Sequence, residues 1–230
     1  MTAVSPLSWN EYAERWATLH GGVDPRGLSR IAQGWLRFAY TVGRALAPTG
    51  LRPGAVTVVG LALSVAVPVV APLRGAWLFL AAGLVLLAAL ADTVDGSVAV
   101  IGARTTRLGA FYDAVADRLG EVAWLLALWL IGAPGWLVVI CGGLTWLHEY
   151  IRARAAVAGM TGVGVVTAGE RPSRVILTTA ALALGGAAWL INPYLTPGAV
   201  TVVVAVWVVV GLLGLARLTG AVRADLRRRG

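Results

Sequence analysis

The chain is 230 residues long, 58% hydrophobic and only 13% charged, with a mean hydropathy of +0.79. That is too apolar for a water-soluble domain of ordinary composition and fits an integral membrane domain. The formal charge of +8 comes from arginine alone; in so apolar a chain arginine gathers in cytoplasmic loops and near anionic headgroups, so no nucleic-acid partner is expected.

Residues 1–29 are polar and contain no apolar h-region, which argues against a cleaved signal peptide and for an N-terminus kept in the cytoplasm. Trp9, Tyr12, Trp16 and Leu19 recur at spacings of three and four, as do Trp35, Phe38, Val42 and Leu46. Both sets predict amphipathic helices within residues 1–50, either lying in the membrane interface or packing on the bundle as a cytoplasmic segment.

Six apolar stretches follow, near 54–73, 76–99, 106–131, 134–157, 173–191 and 197–218, and a helix of about 20 residues crosses a bilayer. The breaks carry turn chemistry: Pro72 with Gly75, Gly102, Gly132 with Pro134 and Gly135, Gly159 to Gly169, and Asn192 with Pro193 and Pro197. The predicted fold is therefore all-α, with six transmembrane helices in a domain covering 51–219. The loops near 74, 132 and 192 contain a single arginine, Arg74, while the others fall at or near the opposite ends. By the positive-inside rule this gives an N-in, C-in protein of the cell membrane. Residues 220–230, with Arg227, Arg228 and Arg229 in a row, read as a basic cytoplasmic tail held by anionic headgroups. The single cysteine, Cys141, lies in an apolar run, so no intrachain disulfide or cysteine metal site can form.

Chemistry enters with four aspartates. Asp92 and Asp95 share a helix face at the end of the second stretch, with Gly96 following; Gly109, Asp113 and Asp117 form an i, i+4, i+8 stripe on the third. The short connection around Gly102, Ala103 and Arg104 makes these two helices antiparallel neighbours, so the four carboxylates can converge in a cavity facing the cytoplasm. They could instead cap helices or pair with Arg104, Arg107 and Arg118. An aspartate near the middle of a membrane helix costs roughly 2.5–3.5 kcal/mol on insertion scales, and clustered carboxylates repel unless cations intervene. Oxygen donors without His or Cys favour Mg²⁺ or Mn²⁺, and two ions bridged by carboxylates suit in-line displacement at phosphorus.

The run DTVDGSVAV from Asp92, eight further residues, and GAFYDAVAD from Gly109 resemble the signature DxxDGxxAR, eight residues, GxxxDxxxD of the CDP-alcohol phosphotransferase family. Asp92, Asp95, Gly96, Ala99, Gly109, Asp113 and Asp117 match in identity and spacing; Val100 stands where the signature has arginine. The resemblance implies a six-helix membrane enzyme, a homodimer, that transfers a phosphatidyl-type group from a CDP-diacylglycerol-like lipid to a polar alcohol and releases CMP. It implies metal ligation by Asp92, Asp95, Asp113 and Asp117, with Asp117 also the general base. Gly96, Ala99 and Gly109 would admit the nucleotide close to the helix backbones, and Arg104, a turn beyond Val100, could reach back toward it.

A second polar cluster follows the fourth stretch, with Arg152, Arg154, Arg171 and Arg174 in EYIRARAAVAGMTGVGVVTAGERPSRV. Arginine forks suit a phosphorylated acceptor, although positive-inside anchoring also places arginine there. YIRARA, GERPSR, GAFYDAVADR and LRPGAVTVVG are similar to actinobacterial phosphatidylinositol-phosphate synthases, which implies inositol phosphate as acceptor; glycerol phosphate needs a similar anion pocket. His148 and Glu149 adjoin the cluster, and His148 and His20 read as hydrogen-bonded rather than ligating. Two other classes remain open: a non-catalytic binder of nucleotide or lipid, motivated by Val100, and a cation transporter, which the other four stretches do not support with acidic pairs.

Overall fold

The structure, a computed structural model, describes residues 7–19, 22–160 and 169–229. Eight α-helices occupy them: α1 (Trp9–Leu19), α2 (Arg30–Leu46), α3 (Pro53–Val70), α4 (Trp77–Ile101), α5 (Arg107–Leu130), α6 (Gly135–Val157), α7 (Arg171–Ile191) and α8 (Thr196–Arg229). The six long helices lie close to the six predicted stretches. Four segments, Pro53–Leu73, Trp77–Ile101, Arg171–Ile191 and Pro193–Arg228, are long and apolar enough to cross a membrane, yet no more than 39% of the apolar 18-residue stretch within any of them is buried. Their outward apolar side chains, such as Val59, Val65, Leu87, Val202 and Val209, need a lipid surround. Among the described residues α5 and α6 fall short through composition, because they carry the polar side chains of the predicted site. Their outward positions are still apolar, with Phe111, Leu119 and Leu126 on α5 and Val139, Ile140 and Leu147 on α6 exposed.

The expected basic tail from residue 220 continues α8. α8 runs for 34 residues, about 50 Å at 1.5 Å per residue, well beyond a hydrocarbon core of about 30 Å. Arginine is a good helix former and no proline interrupts it, so the basic end continues the helix.

Contacts divide the chain into two compact units, Met1–Leu61 with Ala88–Ala116, and Ala62–Leu87 with Asp117–Gly230. In the first, Ser29 caps α2 by accepting the Ala32 N–H at 3.3 Å, and a 3-10 turn ending at Gly50 (φ +79) leads to α3, which starts on Pro53. Ala39, Val56, Val94 and Val98 form its core. A smaller cluster joins Tyr12 of α1, Tyr40 of α2 and Val100 of α4, with Trp9, Trp16 and Ile101 packed on it. Tyr12 is only 1% exposed, so its face of the first amphipathic helix packs on protein. Burial pushes its phenol above the ordinary value, against the opposing pull of its Ser97 bond, so the hydroxyl stays neutral at physiological pH.

In the second unit α6, α7 and α8 pack together. Gly185 and Gly186 permit close approach: a Cβ on either would lie 3.0 Å from Val200 of α8 or Phe79 of α4 respectively. Gly132 (φ +118) ends α5, and a Cβ there would be 2.7 Å from Pro197, so only glycine fits.

Candidate active site

The connection from α4 to α5 is closed by local chemistry. Gly102 N–H donates to Val98 O at 2.9 Å and Arg104 N–H to Ala99 O at 2.8 Å, with Ala103 in the left-handed region at φ +50, where glycine is usual. Thr106 then caps α5, its hydroxyl oxygen accepting the Gly109 N–H at 2.9 Å. A Cβ on Gly109 would sit 3.0 Å from that oxygen, so the motif glycine also serves the cap.

This turn brings three of the four aspartates together. Asp92, Asp95 and Asp113 each present a carboxylate oxygen within 4.8 Å of the other two. Asp95 is buried and the others half-buried. Its Oδ2 accepts a 2.6 Å hydrogen bond from Thr57 of α3, a contact helped by Gly60, where a Cβ would be 3.3 Å from Ala91. At that spacing two carboxylates repel by about 3 kcal/mol for an effective dielectric near 20, so three ionised ones call for a cation. The donor set is hard oxygen with one carboxylate pre-oriented by a neighbouring hydroxyl, which fits Mg²⁺ or Mn²⁺. Beside Asp95, Gly96 is exposed and a Cβ there would meet nothing within 4 Å, which leaves room for a ligand. Ala99 is half-buried one turn further on.

Asp117, one turn beyond Asp113 on α5, is ion-paired with Arg171, and Arg118 Nη2 lies 3.7 Å from its Oδ2. The acceptor-side arginines are largely engaged. Arg174, 1% exposed, donates from Nε to Gly169 O (2.9 Å), from Nη1 to Glu121 Oε1 (2.8 Å) and from Nη2 to Glu149 Oε1 (2.9 Å). Arg118 reaches the same two carboxylates, both at 3.1 Å. Arg152 pairs with Glu170, and Arg154 is exposed in the last turn of α6. His148 is buried with Nδ1 3.9 Å from Glu149, while His20 and residues 161–168 of the connecting loop lie outside the described residues. The fully buried Glu121 is a partner that motif matching misses; the Arg118–Glu121 spacing of three on one helix is its sequence signal.

Two positions near the motif have contacts of their own. Arg104 Nη1 donates to Gly50 O (3.3 Å) and Leu51 O (3.2 Å), which ties it to the α2–α3 connection. Val100 is 5% exposed in the Tyr12–Tyr40 cluster, an apolar seat where a guanidinium would need a partner.

Residues 51–217 match the family model for CDP-alcohol phosphatidyltransferase. The chain is 37% identical over 160 residues to the phosphatidylinositol phosphate synthase of Mycobacterium marinum, a match spanning 66% of each chain. It is 31% identical over 202 residues to that of Mycolicibacterium smegmatis, spanning 83% of this chain and 86% of that protein. Among solved structures, the Mycobacterium tuberculosis phosphatidylinositol phosphate synthase with CDP-DAG bound superposes with a TM-score of 0.64 at 28% identity, covering 81% of this chain and 94% of the other. The same enzyme in complex with manganese and citrate gives 0.64 at 28%, covering 80% and 88%. An apolar helical chain with an intact acidic signature, matched over most of its length, belongs to the CDP-alcohol phosphatidyltransferase family.

Proposed function

We propose that the chain transfers a phosphatidyl group from CDP-diacylglycerol to a phosphorylated polyol, inositol phosphate, and releases CMP. The observation that carries this is the convergence of Asp92, Asp95 and Asp113 beside the open space at Gly96. Support for donor and acceptor comes from the relatives, named as phosphatidylinositol phosphate synthases, one with CDP-DAG bound.

Asp92, Asp95 and Asp113, joined by Asp117, would hold Mg²⁺ or Mn²⁺, as one or two ions. The metal would supply charge neutralisation at the phosphate oxygens and the leaving group. Gly96 and Ala99 leave the nucleotide a close approach to α4, and Thr57 holds Asp95 in its ligating orientation. Asp117 takes the proton of the acceptor hydroxyl as its oxygen bonds to the diacylglycerol-bearing phosphorus and the bond to CMP breaks; Arg171 holds that carboxylate until the acceptor phosphate draws the arginine away. Arg152, Arg154 and Arg171 bind the acceptor phosphate, Arg152 and Arg171 by exchanging a carboxylate partner for it. Arg174, enclosed by Glu121, Glu149 and Gly169, acts by holding this region rather than by touching the acceptor. α3 to α8 would form six spans, with both termini and the site at the cytoplasmic side.

The test is CMP release by the purified protein in lipid nanodiscs with CDP-diacylglycerol, Mg²⁺ or Mn²⁺, and separate acceptors: inositol phosphate, inositol, glycerol phosphate and serine. Inositol phosphate is expected to give the highest kcat/KM. Preference for glycerol phosphate would replace the acceptor assignment, and no CMP release with any acceptor would leave a nucleotide- or lipid-binding descendant.

A further inference from the structure

The last turns of α4 present two stripes. Asp92, Asp95, Gly96 and Ala99 form the signature face; Thr93, Ser97 and Val100, spaced i, i+4, i+7, form a second one roughly 100° around the helix. That second stripe is gripped along its whole length by α1 and α2. Trp35 Nε1 donates to Thr93 Oγ1 at 2.9 Å. Gly43 lies so close that a Cβ would be 2.8 Å from the Ser97 Cβ. Ser97, fully buried, gives its one hydroxyl proton to Thr93 O at 2.9 Å, so at 2.8 Å it accepts from the Tyr12 hydroxyl. Val100 then seats against the rings of Tyr12 and Tyr40, which stand 5.1 Å apart, with Trp9 within 5.7 Å of both.

We infer that α1 and α2 act as a clamp on this stripe, that Tyr12, Ser97 and Val100 are positioning residues for the Asp92–Asp95 ligand pair, and that Val100 is the residue this clamp requires where the signature has arginine. The inference rests on the reading of those carboxylates as metal ligands. Helix rotation is the coordinate that matters: a turn of α4 by a few tens of degrees moves Asp92 and Asp95 away from Asp113, and three contacts at Thr93, Ser97 and Val100 oppose such a turn. An arginine at position 100 would place a guanidinium in a buried seat among Tyr12, Tyr40, Trp9 and Trp16, where the guanidinium of Arg37 already lies 5.1 Å over the Trp9 ring, so a second like charge would meet the first. It would be accommodated only by displacing Tyr12, and with it the Ser97 bond. The odd position in the signature is therefore a co-adapted part of the clamp.

The test is Mn²⁺ binding to the full-length protein in nanodiscs, read from the loss of the free Mn²⁺ resonance in electron paramagnetic resonance with no donor or acceptor present. Tyr12→Phe, which removes one oxygen atom, is expected to weaken Mn²⁺ binding about tenfold, the lower end of the effect of removing a ligand-orienting neighbour. Ser97→Ala should do the same, and the double variant should be no worse than either single one. Val100→Arg should weaken binding at least as much, and adding Tyr12→Phe to it should cost little more, because the Ser97 bond is already lost. Where Val100→Arg fails to fold, Tyr12→Phe and Ser97→Ala carry the test. Folded Tyr12→Phe and Ser97→Ala proteins with wild-type Mn²⁺ affinity would overturn the inference, as would tighter binding in Val100→Arg. Mn²⁺ binding that depends on Tyr12 in a protein releasing no CMP would uphold the clamp and sink the phosphotransferase reading; no Mn²⁺ binding by the wild type would sink both.

Discussion

Replacing Arg174 with methionine tests whether the buried charge cluster is structural. The guanidinium is 1% exposed and makes three hydrogen bonds, to Gly169 O, Glu121 and Glu149. Methionine fills most of the volume but leaves Glu121, also 1% exposed, and Glu149 to share the single charge of Arg118. Removing one partner of a buried pair costs about 3–5 kcal/mol. Arg118 stays in place and Glu149 is 34% exposed at its side chain, so the lower figure, about 3 kcal/mol, applies. For a chain of this size that is a fall of roughly 6–12 °C in Tm. The assay is thermal unfolding in detergent, followed by tryptophan fluorescence. Adding Glu121→Gln restores charge balance with Arg118 and Glu149 and should recover more than half of the loss. A single variant within about 2 °C of wild type, or a double variant less stable than the single one, would refute the reasoning.

Three further outcomes follow from the candidate site. Asp95→Asn should abolish high-affinity Mn²⁺ binding, and Thr57→Val should weaken it about tenfold by removing the 2.6 Å hydrogen bond to Asp95; isothermal titration checks both, and an unchanged Thr57→Val affinity counts against pre-orientation. Asp117→Asn should lower kcat by about 10²–10⁴, the usual contribution of a general base, while Mn²⁺ affinity falls far less, and a CMP-release assay near the wild-type rate would remove Asp117 from the chemistry. Gly96→Ala and Gly132→Ala should separate function from fold. The first adds a Cβ into open space and should leave Tm unchanged while raising the KM for CDP-diacylglycerol at least tenfold; the second, at φ +118 and 2.7 Å from Pro197, should lower Tm by several degrees.

The long helices were legible because hydropathy and turn chemistry act locally. Gly132 and Asn192 stand where helices stop or start, and along the described residues the predicted breaks at Pro72, Gly102, Gly132 and Asn192 fall between helices. The convergence of Asp92, Asp95 and Asp113 was legible for the same reason, since a short turn between two helices fixes which ends meet. Partners distant in sequence were not. Nothing in the spacing of Thr57, 38 residues before Asp95, marks it as the hydroxyl that holds that carboxylate, and nothing local pairs Arg174 with Glu121 across 53 residues. Arg104, after the left-handed Ala103, likewise meets partners far back in the chain, the carbonyls of Gly50 and Leu51.

The acidic and basic halves of the site follow opposite electrostatic rules, and α5 carries both. Asp113 sits in a group of carboxylates with oxygens within 4.8 Å, an arrangement that suits a bound cation. One turn along, Asp117 already has its counter-charge in Arg171. Among the described residues, Arg118, Arg152, Arg171 and Arg174 are matched by Asp117, Glu121, Glu149 and Glu170. A region neutral in itself tolerates membrane depth without metal, and the proposed acceptor binding would exchange one of its ion pairs for an anion. On the proposed reading, binding of the acceptor phosphate and freeing of Asp117 from Arg171 would be a single exchange. The signature treats its aspartates as equivalents, but the ion pair with Arg171 sets the fourth apart: on the proposed reading Asp117 serves as ligand and base only once that arginine has been drawn to the acceptor phosphate.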